Sequence, residues 1–235
     1  ILSYTKTDDK ELTLKQLDLV KNLLNCKNFN LHDIVDILPT ITINNTTNPV
    51  QKENHIKQIE FVQELADSEK FRPKEIKNII INTKTNNVET NANQLAFAKK
   101  LVFDKNLDFK SIVGILYNTS SENKKINLNQ IEFVDKLIEN KKYKTEDIKD
   151  ILSATNSTQE DINSSQIELF SRLDKKGNFD IKDIISILFG TKTNKIEINR
   201  AQNEFLNELL NNKKINNKNI GDILIATNST DEEVI

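Results

Sequence analysis

His32, His55 and Cys26 are the only residues of their types in this 235-residue chain. Nucleophilic catalysis by a cysteine needs a base within hydrogen-bond reach, and no spacing here brings a histidine beside Cys26. Two histidines and one cysteine without paired-ligand spacing do not make a zinc site. The stretch "DKKGNFDIKD" at 174–183 lacks the alternating Asp/Asn ligands that precede the glycine of a calcium loop. No glycine-rich phosphate loop is present. The sequence therefore predicts no catalytic residue, no metal and no cofactor, and reads as a non-enzyme.

Two series of polar residues could instead bind something. The first recurs along the chain as Lys84-Thr85, Ser120-Ser121, Asn156-Ser157, Lys192-Thr193 and Asn228-Ser229, each pair following a threonine (Thr83, Thr119, Thr155, Thr191, Thr227; Thr5 is an earlier one). Such a series would form either a ladder of recognition side chains or ordinary solvated loop chemistry. The threonines themselves suit carbonyl groups left open at a helix end. The second series is basic: Lys105, Lys141, Lys142, Lys175, Lys176, Lys213 and Lys214. Cations there match a helix C-terminus, and the same residues would serve as a rail for phosphates. Acids at Asp18, Glu60, Glu132, Glu168 and Glu204 run alongside.

The elements that must hold these residues follow from a repeat. Gln16, Gln58, Gln94, Gln130, Gln166 and Gln202 are separated by 42 residues once and by 36 four times. Apolar residues follow each glutamine at the third, fourth and seventh positions, for example Phe133, Val134 and Leu137, one face of an amphipathic helix. A bulky residue closes the turn in each copy: Phe29, Phe71, Leu107, Tyr143, Phe179 and Ile215. N-cap residues Asn30, Asp108, Asp180 and Asn216 come next, with Pro73 at a first helical position and acids at Asp33, Glu75, Asp147 and Asp183. A second helix then buries triplets such as Ile112, Ile115 and Leu116. The recurring glutamine, polar on an apolar stripe, is expected to bond backbone in the neighbouring loop and so fix the register; direct ligand contact is the other reading.

The expected fold is thus all-α, an α-solenoid of two-helix, 36-residue repeats, because one apolar stripe per helix is buried only by stacking neighbours. Its parts are the end of a truncated preceding repeat (1–12), repeat 1 with a six-residue insertion (13–54), and repeats 2 to 6 (55–90, 91–126, 127–162, 163–198, 199–235). Ile1-Leu2 align with Ile151-Leu152 and Val234 with Ile162, so the chain is expected to be cut within a repeat at both ends. Exposed apolar ends would favour end-to-end association. The insertion lies in "TITINNTTNPVQ", from Thr40 to Gln51, and reads as a surface loop or a ligand contact.

Composition agrees with helices and narrows the partner. Four glycines and three prolines leave few turn residues. A net charge of −2 and 6% aromatic residues give neither a global basic field nor a stacking surface for single strands. No apolar run reaches membrane-spanning length, so no membrane insertion is expected. Heavy use of Asn, Lys and Ile fits an AT-rich, bacterial genome.

The segment "ELFSRLDKKGNFDIKDIISIL" at 168–188 resembles the repeat junction of TAL-effector-like DNA-binding proteins. The segments "QIEFVDKL" at 130–137 and "DIKDIL" at 147–152 are similar to mitochondrial-termination-factor-type repeats, whose expected proline appears as Pro39. Both families are helical solenoids that bind nucleic acid. The first resemblance implies that Thr191–Asn194 and the equivalent loops face DNA bases. Mixed charge favours a scaffold for a protein partner, surface-exposed, secreted or intracellular; double-stranded nucleic-acid binding through the loops is the alternative, and a structural spacer a third.

Overall fold

The computed structural model describes residues 9–41, 48–85, 87–212 and 214–228. Expectations resting on Ile1, Leu2, Thr5, Asn86, Lys213, Ser229, Val234 and residues 42–47 of the long connection lie outside the described residues. Among the described residues the chain is all-α. The helices are α1 (Lys10–Asn25), α2 (Leu31–Ile41), α3 (Pro49–Asp67), α4 (Pro73–Ile81), α5 (Val88–Lys99, continued by a π turn, Lys100–Asp104), α6 (Phe109–Thr119), α7 (Lys124–Asn140), α8 (Thr145–Thr155), α9 (Glu160–Lys176), α10 (Ile181–Thr191), α11 (Ile196–Asn211) and α12 (Asn217–Thr227).

The chain divides into two compact units, Ile1–Glu122 and Asn123–Ile235. In the first, α1, α3 and α5 pack in succession as one layer, and α2, α4 and α6 as the other. In the second, α7, α9 and α11 form one layer and α8, α10 and α12 the other. Each odd helix is joined to the next even helix by a turn of four or five residues.

Capping residues start the helices where the sequence places them. Asp108 Oδ1 accepts the Ser111 N–H (3.1 Å), Asp180 Oδ1 the Asp183 N–H (2.9 Å) and Asn216 Oδ1 the Lys218 N–H (3.1 Å). Asn30 and Asp33 cap each other, and Glu75 and Asp147 accept the backbone N–H of Arg72 and Lys144. Each such cap contributes about 1 kcal/mol. The odd helices end differently. A left-handed residue falls eleven positions after the glutamine at Glu69, Lys141 and Gly177. The π turn in α5 takes up one more residue, and the left-handed position shifts to Asn106.

The core follows the stripes. Of the positions three, four and seven after each glutamine, all are buried except Phe205, which is half-buried. The stripe also runs one turn further back, to Leu12, Ile126, Ile162 and Ile198. On the even helices the apolar triplets are buried apart from Ile223. Burying each such side chain contributes about 1.5–3 kcal/mol. The expected turn plugs are less covered: only Phe71 is buried, and Phe29, Leu107, Tyr143, Phe179 and Ile215 are half-buried, because the short turns leave one side to solvent.

The tightest helix contact lies between α10 and α12, where small residues let backbones approach. A Cβ placed on Gly221 would lie 2.1 Å from Ser186 Oγ and 3.0 Å from the Ser186 carbonyl carbon. Gly221→Ala is therefore expected to destabilise the chain by about 1–3 kcal/mol through overpacking, despite the better helix propensity of alanine. Urea denaturation of both chains reads the difference, and an unchanged midpoint would show that α12 can move away freely.

Candidate functional site

The residues first considered for catalysis do not assemble. The Cys26 thiol donates to the Asn22 carbonyl (3.4 Å), and burial together with the Asp67 and Glu69 charges pushes its pKa up. His32 is exposed on α2, 3.8 Å from Asp36. His55 is buried in α3, and burial with the nearby Lys84 charge lowers its pKa to about 4. Among the described residues no three His, Cys, Asp or Glu side chains come together as a metal site, and no helix is long and apolar enough to cross a membrane.

The loop ladder turns towards its own backbone. Thr85 Oγ1 accepts the Asn87 N–H (3.1 Å) and pairs with Thr90 Oγ1 (2.8 Å). Ser157 Oγ accepts the Gln159 N–H (3.1 Å), and Thr193 Oγ1 the Lys195 N–H (3.3 Å). Ser120 and Asn156 terminate α6 and α8, their N–H groups bonded to Leu116 and Leu152 carbonyls. The Lys192 ammonium donates to the Ser153 carbonyl (2.7 Å), and Asn228 Nδ2 to the Lys192 carbonyl (2.8 Å). Burial lowers the pKa of both Lys84 and Lys192. Thr193 is buried, and Lys84, Thr85, Ser120, Ser121, Asn156, Ser157, Lys192 and Asn228 are half-buried.

The lysine series is more varied. Lys141 adopts the left-handed conformation and is exposed, as are Lys175, Lys176 and Lys214, while Lys105 is half-buried. Lys142 pairs with Asp174 and lies 5.3 Å from the Tyr143 ring centroid. Other lysines likewise bridge neighbouring helices, as Lys99 does to Glu64 (2.8 Å). Exposed pairs of this kind contribute less than about 1 kcal/mol each.

The recurring glutamines occupy the interior. All six are buried, and four of them engage the helix end that lies 25 residues further on. Gln94 Nε2 donates to the Leu116 carbonyl (2.8 Å) while its Oε1 accepts the Thr119 hydroxyl (3.1 Å). Gln166 Nε2 reaches Thr191 Oγ1 (3.1 Å), Gln130 Nε2 reaches Thr155 Oγ1 (3.5 Å), and Gln202 Nε2 reaches the Thr227 carbonyl (3.0 Å). The partner is thus chiefly the paired helix's last threonine rather than a neighbouring loop, since the short turn sends the second helix back along the first. Gln94 alone also approaches the preceding loop, at the Asn82 carbonyl (3.4 Å).

A further link escaped the sequence reading. Asn163 Nδ2 donates to the Thr155 carbonyl (3.1 Å) and Asn199 Nδ2 to the Thr191 carbonyl (2.8 Å), tying α9 and α11 to the helix ends before them. The signal was present: Asn91, Asn127, Asn163 and Asn199 each precede a glutamine by three residues.

The structure also leaves apolar residues exposed at corresponding places in each unit. Ile81, Tyr117, Phe189 and Ile225 are 46%, 71%, 42% and 51% exposed, and each lies 23 residues after a glutamine, near the end of an even helix. Pro39, also exposed, takes that place on α2.

No family model, curated protein or solved structure matches the chain, so the two family resemblances rest on the quoted segments alone.

Two outcomes follow from the buried polar groups. Gln94→Leu is expected to cost about 1–3 kcal/mol by stranding buried partners, whereas Gln16→Leu should be neutral or stabilising. Among the described residues neither amide atom of Gln16 is bonded, and Ile41 stands where the later copies carry threonine. Thermal unfolding of the two variants tests the contrast. Separately, His55 is neutral in the folded chain from pH 6.5 down to about 4, while the unfolded chain protonates across that window. His55 should therefore contribute a stability loss of roughly 3 kcal/mol as pH drops from 6.5 to about 4, and that contribution should vanish in His55→Asn. Urea midpoints between those pH values report it.

Proposed function

We propose that this chain is a non-enzymatic, helical-repeat binding scaffold, a solenoid of two-helix, 36-residue repeats, that recognises a protein partner. The observation that carries this reading is the exposure of Ile81 and Tyr117 in the first unit and of Phe189 and Ile225 in the second. Within each unit the even helices pack side by side, so these anchors stand on the neighbouring helices α4 and α6 and on the neighbouring helices α10 and α12, while α8 carries Ser153 at that place. Aromatic and branched apolar side chains held open on a rigid frame are the groups from which protein interfaces draw most of their binding energy. A spacer would have no use for them, and solvation alone favours polar residues there.

The alternative, binding of double-stranded nucleic acid, draws on the exposed Lys141, Lys175, Lys176 and Lys214. It is the weaker reading because the loop side chains it would use for bases are engaged within their own loops. It would also need Lys142 to leave Asp174.

The test compares the wild-type chain with Tyr117→Ser and Phe189→Ser. Both sites are exposed, so melting temperatures should change little. A partner captured by the wild-type chain should lose about tenfold or more in affinity with either variant, as expected for an aromatic anchor, and Lys141→Ala should leave it unchanged. Binding to random duplex DNA that is tight and falls steeply with salt would instead support the nucleic-acid reading.

A further inference from the structure

Three departures of the chain from its own pattern converge on one cleft in the first unit. It offers about 490 Å³ and lies between α3 and the connection from α4 to α5, with Asn54, His55, Gln58, Lys84, Thr85 and Glu122 in its wall. Where Asn91, Asn127, Asn163 and Asn199 recur, this place has His55. Gln58, unlike Gln94, Gln130 and Gln166, makes no bond to its threonine, although Thr83 donates to the Ile80 carbonyl as the other threonines do at their helix ends. Among the described residues Gln58 Oε1 is buried without a partner, a state it shares with Gln130 Oε1 and Gln202 Oε1. Lys84, unlike Lys192 at the equivalent position, has no acceptor for its ammonium among the described residues.

His55 and Gln58 are each only 3% exposed. Buried hydrogen-bonding groups left open are costly unless a ligand completes them. We propose that this cleft binds a small monocarboxylate that also carries a hydrogen-bonding group for the Gln58 amide. Lys84 supplies the one cation in the wall, and the neutral His55 ring supplies an N–H donor. Glu122 contributes a negative charge that opposes a phosphate dianion. The volume suits a small organic acid or the carboxylate end of a peptide, the two sources of this chemistry. A carboxylate held between Lys84 and His55 favours the imidazolium, so binding should take up a proton at His55; Lys84 and Glu122 are the charged groups in the cleft wall with it.

The test follows the His55 ring signals by NMR on the full chain, with lactate, N-acetylglycine, N-acetylglycine methylamide and inorganic phosphate as probes. Lactate or N-acetylglycine should bind in the millimolar range, shift the His55 resonances and raise its titration midpoint. The methylamide should not bind, and phosphate should bind at least about tenfold more weakly. Lys84→Met and His55→Asn should each weaken carboxylate binding at least about tenfold, while Lys192→Met should not. His55→Asn installs the residue found at the equivalent positions, and Lys84→Met alters a half-exposed side chain, so one remains usable if the other fails to fold. Tighter binding of N-acetylglycine marks a peptide end, and of lactate a free acid. Absence of any His55 shift with either carboxylate, undiminished binding in both cleft variants, or phosphate binding of equal strength would overturn the proposal.

Discussion

A buried amide costs stability when its groups go unbonded, and this chain bonds at least one end of Gln94, Gln130, Gln166 and Gln202 by tying one helix to the next. Gln166 on α9 bonds the hydroxyl of Thr191 at the end of α10, and Asn199 on α11 bonds the carbonyl of the same Thr191. The threonine hydroxyl meanwhile lies against the Ile187 and Leu188 carbonyls, which the helix end leaves open. Three helices are thereby fixed relative to one another at a single buried point. Apolar stripes can slide against each other at modest cost, but a hydrogen-bonded amide cannot, so these contacts set the register in which the stripes pack.

The same arrangement decides what is left for the surface. Odd helices give their stripe to the interior, and even helices bury Ile-Ile-Leu triplets, while apolar residues stand open near the ends of several even helices and singly elsewhere, as at Leu24 and Val50. Polar loop residues that look available for recognition are largely consumed in starting the next helix: Thr85, Ser157 and Thr193 accept backbone N–H groups two residues on. Lysines at the ends of odd helices divide between solvent and neighbouring carboxylates, as Lys142 does with Asp174. The chain's near-zero net charge is thus reflected locally, with cations and anions facing each other across adjacent helices rather than segregated into one field.

Departures from the pattern are informative because each has a specific physical consequence. Ile41 stands in place of threonine, and among the described residues Gln16 has no bonding partner. The π turn in α5 absorbs one residue and shifts the left-handed position to Asn106, which tolerates that conformation better than most side chains. His55 in place of asparagine puts a titratable ring where the other copies hold an amide, and burial keeps it neutral. Together with Gln58 and Lys84 it lines a polar cleft.

The sequence by itself determined the helices, their caps and nearly all of the core. Periodic apolar spacing specifies which face of a helix is buried, and Asn, Asp and Glu at fixed offsets specify where it starts, so Leu137, Ile151 and Asp108 were legible before any coordinates. The glutamines were legible as unusual, but not their partners. A buried amide can bond any group within reach, and only the return of α10 along α9 decides that Thr191 stands there. For the same reason the asparagine link was present in the spacing yet unread. The loop ladder could not be judged from residue types, because hydroxyl and amide side chains that read a ligand are the same ones that cap a helix. The exposure of Ile81 and Tyr117 in the first unit and of Phe189 and Ile225 in the second, and the cleft at His55, belong wholly to the tertiary structure: exposure and an unmet hydrogen bond are properties of neighbours, and sequence spacing does not state which neighbours are there.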